Sequence, residues 1–202
     1  QLTCLVADTS VNEPVISADQ YSSFNTLIRK TAYIMRFPRN CRLKKLNKPM
    51  KLQGLTAEER SDAQKYWLQI VQQEYYSEEV NKLKSKENVK QDSKIVQLSP
   101  YFDEETGLIR MKGRIQNANL TESEKHPIIL PHQSPVVKLL VKYIHLKQMH
   151  AGISQTLVAV RDEFWVTCAR SLVRSIVKAC LICRMHMPNR LTAPLPPLPE
   201  DR

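Results

Sequence analysis

The sequence predicts a mainly α protein with one small β-hairpin: a helical amino-terminal region, a short β extension, and a carboxy-terminal helix-turn-helix clasped by a metal. Three observations lead there. Glycine is scarce, 4 of 202 residues, about 2% against a usual ~7%, which argues against phosphate loops, dinucleotide loops and a large tight-turned β protein. Apolar residues recur at helical spacing over several long stretches and alternate at strand spacing only near residue 110. Four residues near the carboxyl end, His145, His150, Cys180 and Cys183, have the spacing of a metal site.

Composition bounds the partners. With 42% hydrophobic and 25% charged residues the chain is ordinary globular protein, and no apolar run approaches the ~20 residues of a membrane span. The net charge of +10 suggests an anionic partner. Five cysteines make an odd number for a disulfide framework, and Gln1 to Ser10 carry neither a basic stretch nor a long apolar one, so a reducing, intracellular setting is expected. The first residue is not Met, and a processed piece or fragment of a longer chain is expected.

The elements follow in order. Phe24, Leu27, Ile28, Thr31, Ile34 and Met35 mark a helix over roughly 19–37 that stops before Pro38. From Arg29 to Lys51 stand nine basic and no acidic side chains. Such a density suits phosphate neutralisation, with Arg36, Arg39, Lys44 and Lys45 as candidate nucleic-acid contacts, and equally suits a solvated helix face running into a basic linker. A second helix begins at Thr56-Ala57-Glu58-Glu59, which has capping-box form, and its stripe of Ala63, Tyr66, Trp67, Ile70 and Val71 makes Trp67 a core residue. Ser77 to Asp92 is lysine-rich with few apolar residues and reads as a fraying helix end or a linker.

Near residue 100 the period changes. After the turn signal Asp103 to Gly107, Ile109, Met111, Gly113 and Ile115 alternate with Arg110, Lys112 and Arg114, a half-buried strand. Ile128-Ile129-Leu130, bounded by Pro127 and Pro131, is expected to pair with it at a sheet edge. Ser134 as cap and Pro135 at the first position open a helix with Val136, Val137, Leu140, Val141 and Ile144 on one face. His126 and His132 flank the apolar run as surface or strand-end residues. Cys168 is expected in the core, and Cys4 and Cys41 as free thiols.

His145 and His150 lie five residues apart, about 140° around a continuing helix, so the helix must end between them for both to face one ion. Gly152 is placed to let the chain turn. Ser154 caps a following helix through Leu157, Val158 and Val160; Phe164-Trp165 interrupts; then Leu172, Val173, Ile176 and Val177 lead to Cys180. The aromatic pair suits a core position, with base stacking as the alternative. Two imidazoles and two thiolates complete a closed tetrahedral Zn2+ set, which is structural because it leaves no open coordination position. The competing account is four unrelated residues, with Cys acting as a small hydrophobe. His186 is an alternative ligand in Cys180-x2-Cys183-x2-His186. Two enzyme readings rank below zinc. Ala7-Asp8-Thr9-Ser10 departs from an aspartic-protease motif where its turn needs Gly, and Cys180 with His145 as a nucleophile and base leaves a second Cys and a second His unexplained.

The His145, His150, Cys180, Cys183 pattern, with His150-Ala151-Gly152, Phe164-Trp165 and Cys180-Leu-Ile-Cys183, resembles the amino-terminal zinc-binding domain of retroviral and retrotransposon integrases. Tyr21-Ser-Ser-Phe24 through Arg36-Phe37, Leu55-Thr-Ala-Glu58 with Trp67, Gly113-Arg114, and His126 through Pro131 look like the polyprotein of Bel/Pao-type long-terminal-repeat retrotransposons. The resemblance implies one zinc on His145, His150, Cys180 and Cys183, clasped helices that assist multimer assembly on the DNA ends of the element, and a setting in the nucleus or a retroelement particle. It also implies a ribonuclease H region before this segment and a catalytic core after it. That core uses three acidic residues, whereas after Cys183 only Glu200 and Asp201 follow, in a tail with Pro194, Pro196, Pro197 and Pro199, so no catalysis is expected from this piece.

The expected organisation is a helical region over 1–99 with its basic segment 29–51, a β extension over 100–133, an integrase-type zinc unit over 134–187 and a proline-rich linker over 188–202. The expected function is a zinc-stabilised module for nucleic-acid binding and multimerisation, with Arg170, Arg174 and Lys178 as DNA contacts. The alternative is a structural-zinc protein-interaction module with weak DNA contact. DNA and further copies of the chain are the expected partners, with no membrane and no small-molecule substrate.

Overall fold

The computed structural model describes residues 16–47, 54–87, 89, 91, 93–113, 119 and 121–186. After a 3-10 turn, Ala18–Gln20, come α1 (Phe24–Lys45), α2 (Ala57–Tyr75) and α3 (Ser77–Lys84). The hairpin β1 (Pro100–Asp103) and β2 (Leu108–Met111) precedes α4 (Glu122–Lys125) and β3 (Ile128–Leu130). The chain ends in α5 (Pro135–Lys147), α6 (Ile153–Arg161), β4 (Phe164–Val166), α7 (Ala169–Ala179) and α8 (Leu181–His186). Helices dominate around one four-stranded mixed sheet, as composition required. No helix among the described residues is long and apolar enough to cross a membrane.

The first helix does not stop at Pro38 but continues to Lys45. An interior proline costs about 3 kcal/mol, and here cross-helix contacts on both sides of it oppose a break. Arg36 Nε donates to Glu59 Oε1 at 2.9 Å, and Arg39 Nη2 reaches Asp62 Oδ2 at 3.0 Å. Both partners lie on α2, whose amino end carries the expected capping box: Thr56 Oγ1 accepts from the Glu59 N–H, and Glu59 Oε2 accepts from the Thr56 N–H. Trp67 is buried as expected, with its Nε1 donating to Thr31 Oγ1 at 2.8 Å. The lysine-rich stretch after α2 starts as a true helix, α3, because Val80 is buried against Tyr76, Ile95, Ile109 and Ile129.

The sheet order is β1-β2-β3-β4. β1 and β2 are antiparallel, with Tyr101 opposite Arg110 and Phe102 opposite Ile109. Gly107 in the connecting turn sits at φ +67°, so the backbone calls for glycine; a Cβ there would come 2.8 Å from Gln69 Nε2, the movable end of an exposed side chain. β3 does pair with β2, through Arg110 and Ile128, but it is not an edge strand. Phe164–Val166 lies parallel along its other side, Ile129 opposite Trp165. The flanking prolines are accommodated because the ladder bonds use other groups: Ile128 N–H donates to Glu163 O, and Thr167 N–H to Leu130 O. Arg114 and Ile115 of the expected strand lie outside the described residues, as do Lys48, Lys51 and the segments 1–15 and 187–202.

Gln72, on α2, joins helix to sheet. Its Nε2 donates to Ile109 O at 2.9 Å and Ile129 O at 2.8 Å, and its Oε1 accepts from Ile109 N–H at 2.7 Å. One buried cluster then runs from Phe24 and Leu27 on α1 through Trp67 and Leu68 on α2, Leu108, Leu130 and Phe164 in the sheet, to Val141, Val160 and Val173 in the carboxy-terminal helices. The amino-terminal helices therefore pack directly on the element that positions the metal ligands.

Candidate metal centre

The ligands come from the last turn of α5, the turn that follows it, the end of α7 and the short helix α8. α5 leaves β3 and carries His145 in its last turn, where the side chain is 1% exposed. The helix stops at Lys147, between the two histidines, as the angular argument required. The reversal is made by Met149 and His150 themselves, both left-handed at φ +52° and +62°, with His150 N–H donating to His145 O at 3.1 Å. Gly152 has φ −62° and serves instead as the residue before α6, the position expected of Ser154. Ser134 does precede α5, but its hydroxyl makes no cap bond. Cys180 ends α7 and Cys183 follows one turn later in α8.

The ligand atoms of His145, His150, Cys180 and Cys183 all lie within 4.8 Å of one another. Cys180 Sγ is 3.2 Å from His150 Nδ1, and Cys183 Sγ is 3.3 Å from His145 Nε2 and 3.8 Å from His150 Nδ1. Zinc about 2.0–2.1 Å from nitrogen and about 2.3 Å from sulfur gives a tetrahedral N···S edge of about 3.5 Å, so the four atoms fit one ion. The two imidazole planes stand at 89°, which lets Nε2 of one ring and Nδ1 of the other converge. His186 is not part of the group.

Local electrostatics favour the ligating forms of His145 and Cys180 and oppose that of Cys183. Burial, reinforced by the neighbouring His150, pushes His145 below the ordinary imidazole range, keeping it neutral. The Cys183 backbone N–H, aided by that of Ile182, lowers the Cys180 thiol by hydrogen bonding to its sulfur. Burial raises Cys183, as does its neighbour Cys180, so a cation between the sulfurs is what relieves the pair.

Around this group sequence reasoning missed Thr156, which is fully buried on α6 with Oγ1 3.4 Å from His145 Nδ1 and 3.1 Å from Ala151 O. The only signal for it was a polar residue on the inner face of an amphipathic helix. Phe164 is buried in β4, so core packing prevails there, while Trp165 is half-buried with the Arg161 guanidinium 5.5 Å from its ring centre. Cys168 is exposed at φ +51°, not in the core, because it precedes α7 at a chain reversal. Cys41 is an exposed free thiol as expected, and Cys4 and Asp8 lie outside the described residues. His126 Nδ1 meets Met111 O and His132 Nδ1 meets Thr167 Oγ1, both at strand ends.

The basic residues separate into two kinds. Arg170, Arg174 and Lys178 are exposed along α7, and Lys44 and Lys45 are exposed at the end of α1. Arg39 is half-exposed in its pair with Asp62. Arg36 is 7% exposed, bonded to Glu59 and donating to Gly54 O at 3.0 Å. Its guanidinium is taken up within the fold by Glu59 and the Gly54 carbonyl and is not offered to an external phosphate, which corrects the expectation drawn from charge density.

Residues 132–189 match the family model described as integrase zinc binding domain. No curated protein and no solved structure matches the chain. All four ligands fall inside the matched residues, so the chain carries an integrase zinc-binding domain there and His145, His150, Cys180 and Cys183 form its Zn2+ group.

Proposed function

We propose that this chain, bearing an integrase zinc-binding domain at residues 132–189, is a zinc-stabilised nucleic-acid-binding and multimerisation module of a retrotransposon integrase of the Bel/Pao type. The observation that carries the reading is the row of Arg170, Arg174 and Lys178, exposed at successive turns of the helix that ends in Cys180. Zinc supplies a closed cross-link that fixes this helix against α5, and the cations on its outer face engage phosphates. Arg39, Lys44 and Lys45 extend the basic surface on α1. In this reading residues 1–99 connect to preceding enzyme regions, 100–133 form an extension before the zinc unit 134–187, and 188–202 lead towards a catalytic core carried elsewhere.

The test is binding to a short labelled DNA duplex by fluorescence anisotropy between about 50 and 200 mM salt. Replacing Arg170, Arg174 and Lys178 together by Ala is expected to weaken binding and to reduce the slope of log affinity against log salt by about 0.9 for each phosphate no longer neutralised. An unchanged affinity and slope would remove α7 as the DNA face.

The protein-interaction alternative is favoured by one feature. Leu146 at 45%, Met149 at 88%, Leu181 at 70% and Met185 at 83% exposure lie on the segments that carry the four ligands, exposed apolar side chains suited to a protein partner. Under that reading, association measured by sedimentation persists in high salt and is abolished by Leu181→Glu with Met185→Glu, while the DNA affinity is weak and insensitive to the α7 cations.

A further inference from the structure

We infer that Thr156 is a positioning residue for both histidine ligands, setting the proton of His145 through Nδ1 and fixing the turn that bears His150 through Ala151. The inference rests on the zinc assignment of the His2Cys2 group and adds to it the hydroxyl that orients two of the four ligands.

A hydroxyl has one proton to give and two lone pairs to receive with. Thr156 Oγ1 donates to Ala151 O at 3.1 Å, so toward His145 Nδ1, 3.4 Å away, it is an acceptor. His145 therefore carries its proton on Nδ1, with the Ala151 carbonyl that Thr156 holds as a second acceptor for the ring, and presents a lone pair at Nε2, the nitrogen that faces Cys183 Sγ at 3.3 Å. The opposite tautomer would set two lone pairs against each other at Thr156 and turn an N–H toward the sulfurs. Metal-bound imidazoles depend on such partners for both tautomer and ring orientation.

The same oxygen reaches the second ligand through the backbone. Ala151 follows His150, and its carbonyl is held by the Thr156 hydroxyl while the Thr156 N–H donates to Gly152 O at 3.0 Å. Met149 and His150 occupy the left-handed region, which is unfavourable for side chains of this size, so the turn needs external fixing. Thr156 is 0% exposed, and water does not substitute for its hydroxyl.

The experiment measures zinc affinity of the full chain by competition with a chromophoric chelator, together with the absorption spectrum of the cobalt-substituted protein. Thr156→Val, which keeps the shape and removes the hydroxyl, is expected to bind zinc about 10–100-fold more weakly and to shift the cobalt bands. Thr156→Ser, which keeps the hydroxyl, is expected to stay within about threefold of wild type. Equal affinity in Thr156→Val and wild type overturns the inference, as does a Thr156→Ser loss equal to that of Thr156→Val. If Thr156→Val does not fold, the Ala and Ser variants decide, since both lack the methyl and differ by the oxygen alone. Ser tighter than Ala by about tenfold supports the role, and equality refutes it. A wild-type chain that binds no zinc fails the metal assignment itself, an outcome separate from all of these.

Discussion

Replacing Gln72 by Met strikes a point where the amino-terminal helices are hydrogen-bonded into the centre of the sheet. The carboxamide fills a gap in the β2–β3 ladder, which pairs through Arg110 and Ile128, by receiving Ile109 N–H and donating to Ile109 O and Ile129 O. Met has nearly the same volume, so packing is conserved and the change isolates the polar groups. Each buried backbone group deprived of its partner costs about 1–3 kcal/mol. Orphaning Ile109 N–H and Ile129 O is therefore expected to destabilise the protein by about 2–6 kcal/mol, a large fraction of the ~5–15 kcal/mol typical of a folded domain. Equilibrium urea unfolding of the zinc-loaded protein should show a midpoint lowered by about 1–3 M. Gln73→Met, at the adjacent exposed position, should leave the midpoint in place. A Gln72→Met variant within about 0.5 kcal/mol of wild type would refute the reasoning, because it would mean that these backbone groups find other partners.

Two further outcomes follow from the core and the ion pairs. Chelation is expected to release α8, which buries no residue, and the Met149–His150 turn, while α1, α2 and the sheet keep their apolar cluster. Hydrogen exchange should then accelerate at residues 148–152 and 181–186 only, and a collapse of protection throughout α1 and α2 would count against a core independent of the metal. The Arg36 guanidinium holds the Glu59 carboxyl at about 2, below its ordinary value of 4.5. Because the folded state binds this proton less readily than the unfolded one, the contribution is complete above about pH 5 and is lost as pH falls toward 2. Glu59→Gln keeps the capping-box acceptor and removes the charge, and should flatten the acid limb of the stability profile across that window; an unaltered limb would assign acid sensitivity elsewhere.

Much of the site was legible because its determinants are local. The break between His145 and His150 follows from helical angle alone, and Cys180 and Cys183 need only one turn to face the same point. Thr56 and Glu59 meet as a capping box for the same reason, since three residues of helix bring them together. Local pattern failed where a neighbour distant in sequence decided the outcome. Arg36 counted as one of nine cations, but Glu59, 23 residues away, buries it. Phe164–Val166 is too short to show alternation and becomes a strand only because β3 offers an unpaired side.

Helical content, basic character and the closing of two histidines and two cysteines around a zinc ion all follow from the order of residues alone. Composition, periodicity and ligand spacing act within a few residues, where backbone geometry leaves few alternatives. Which cations face solvent, the place of β3 inside the sheet, and the service of Gln72 to the sheet and of Thr156 to the metal ligands emerge only from long-range packing. Those roles depend on buried hydrogen-bond partners whose places are set by the packing of the whole chain.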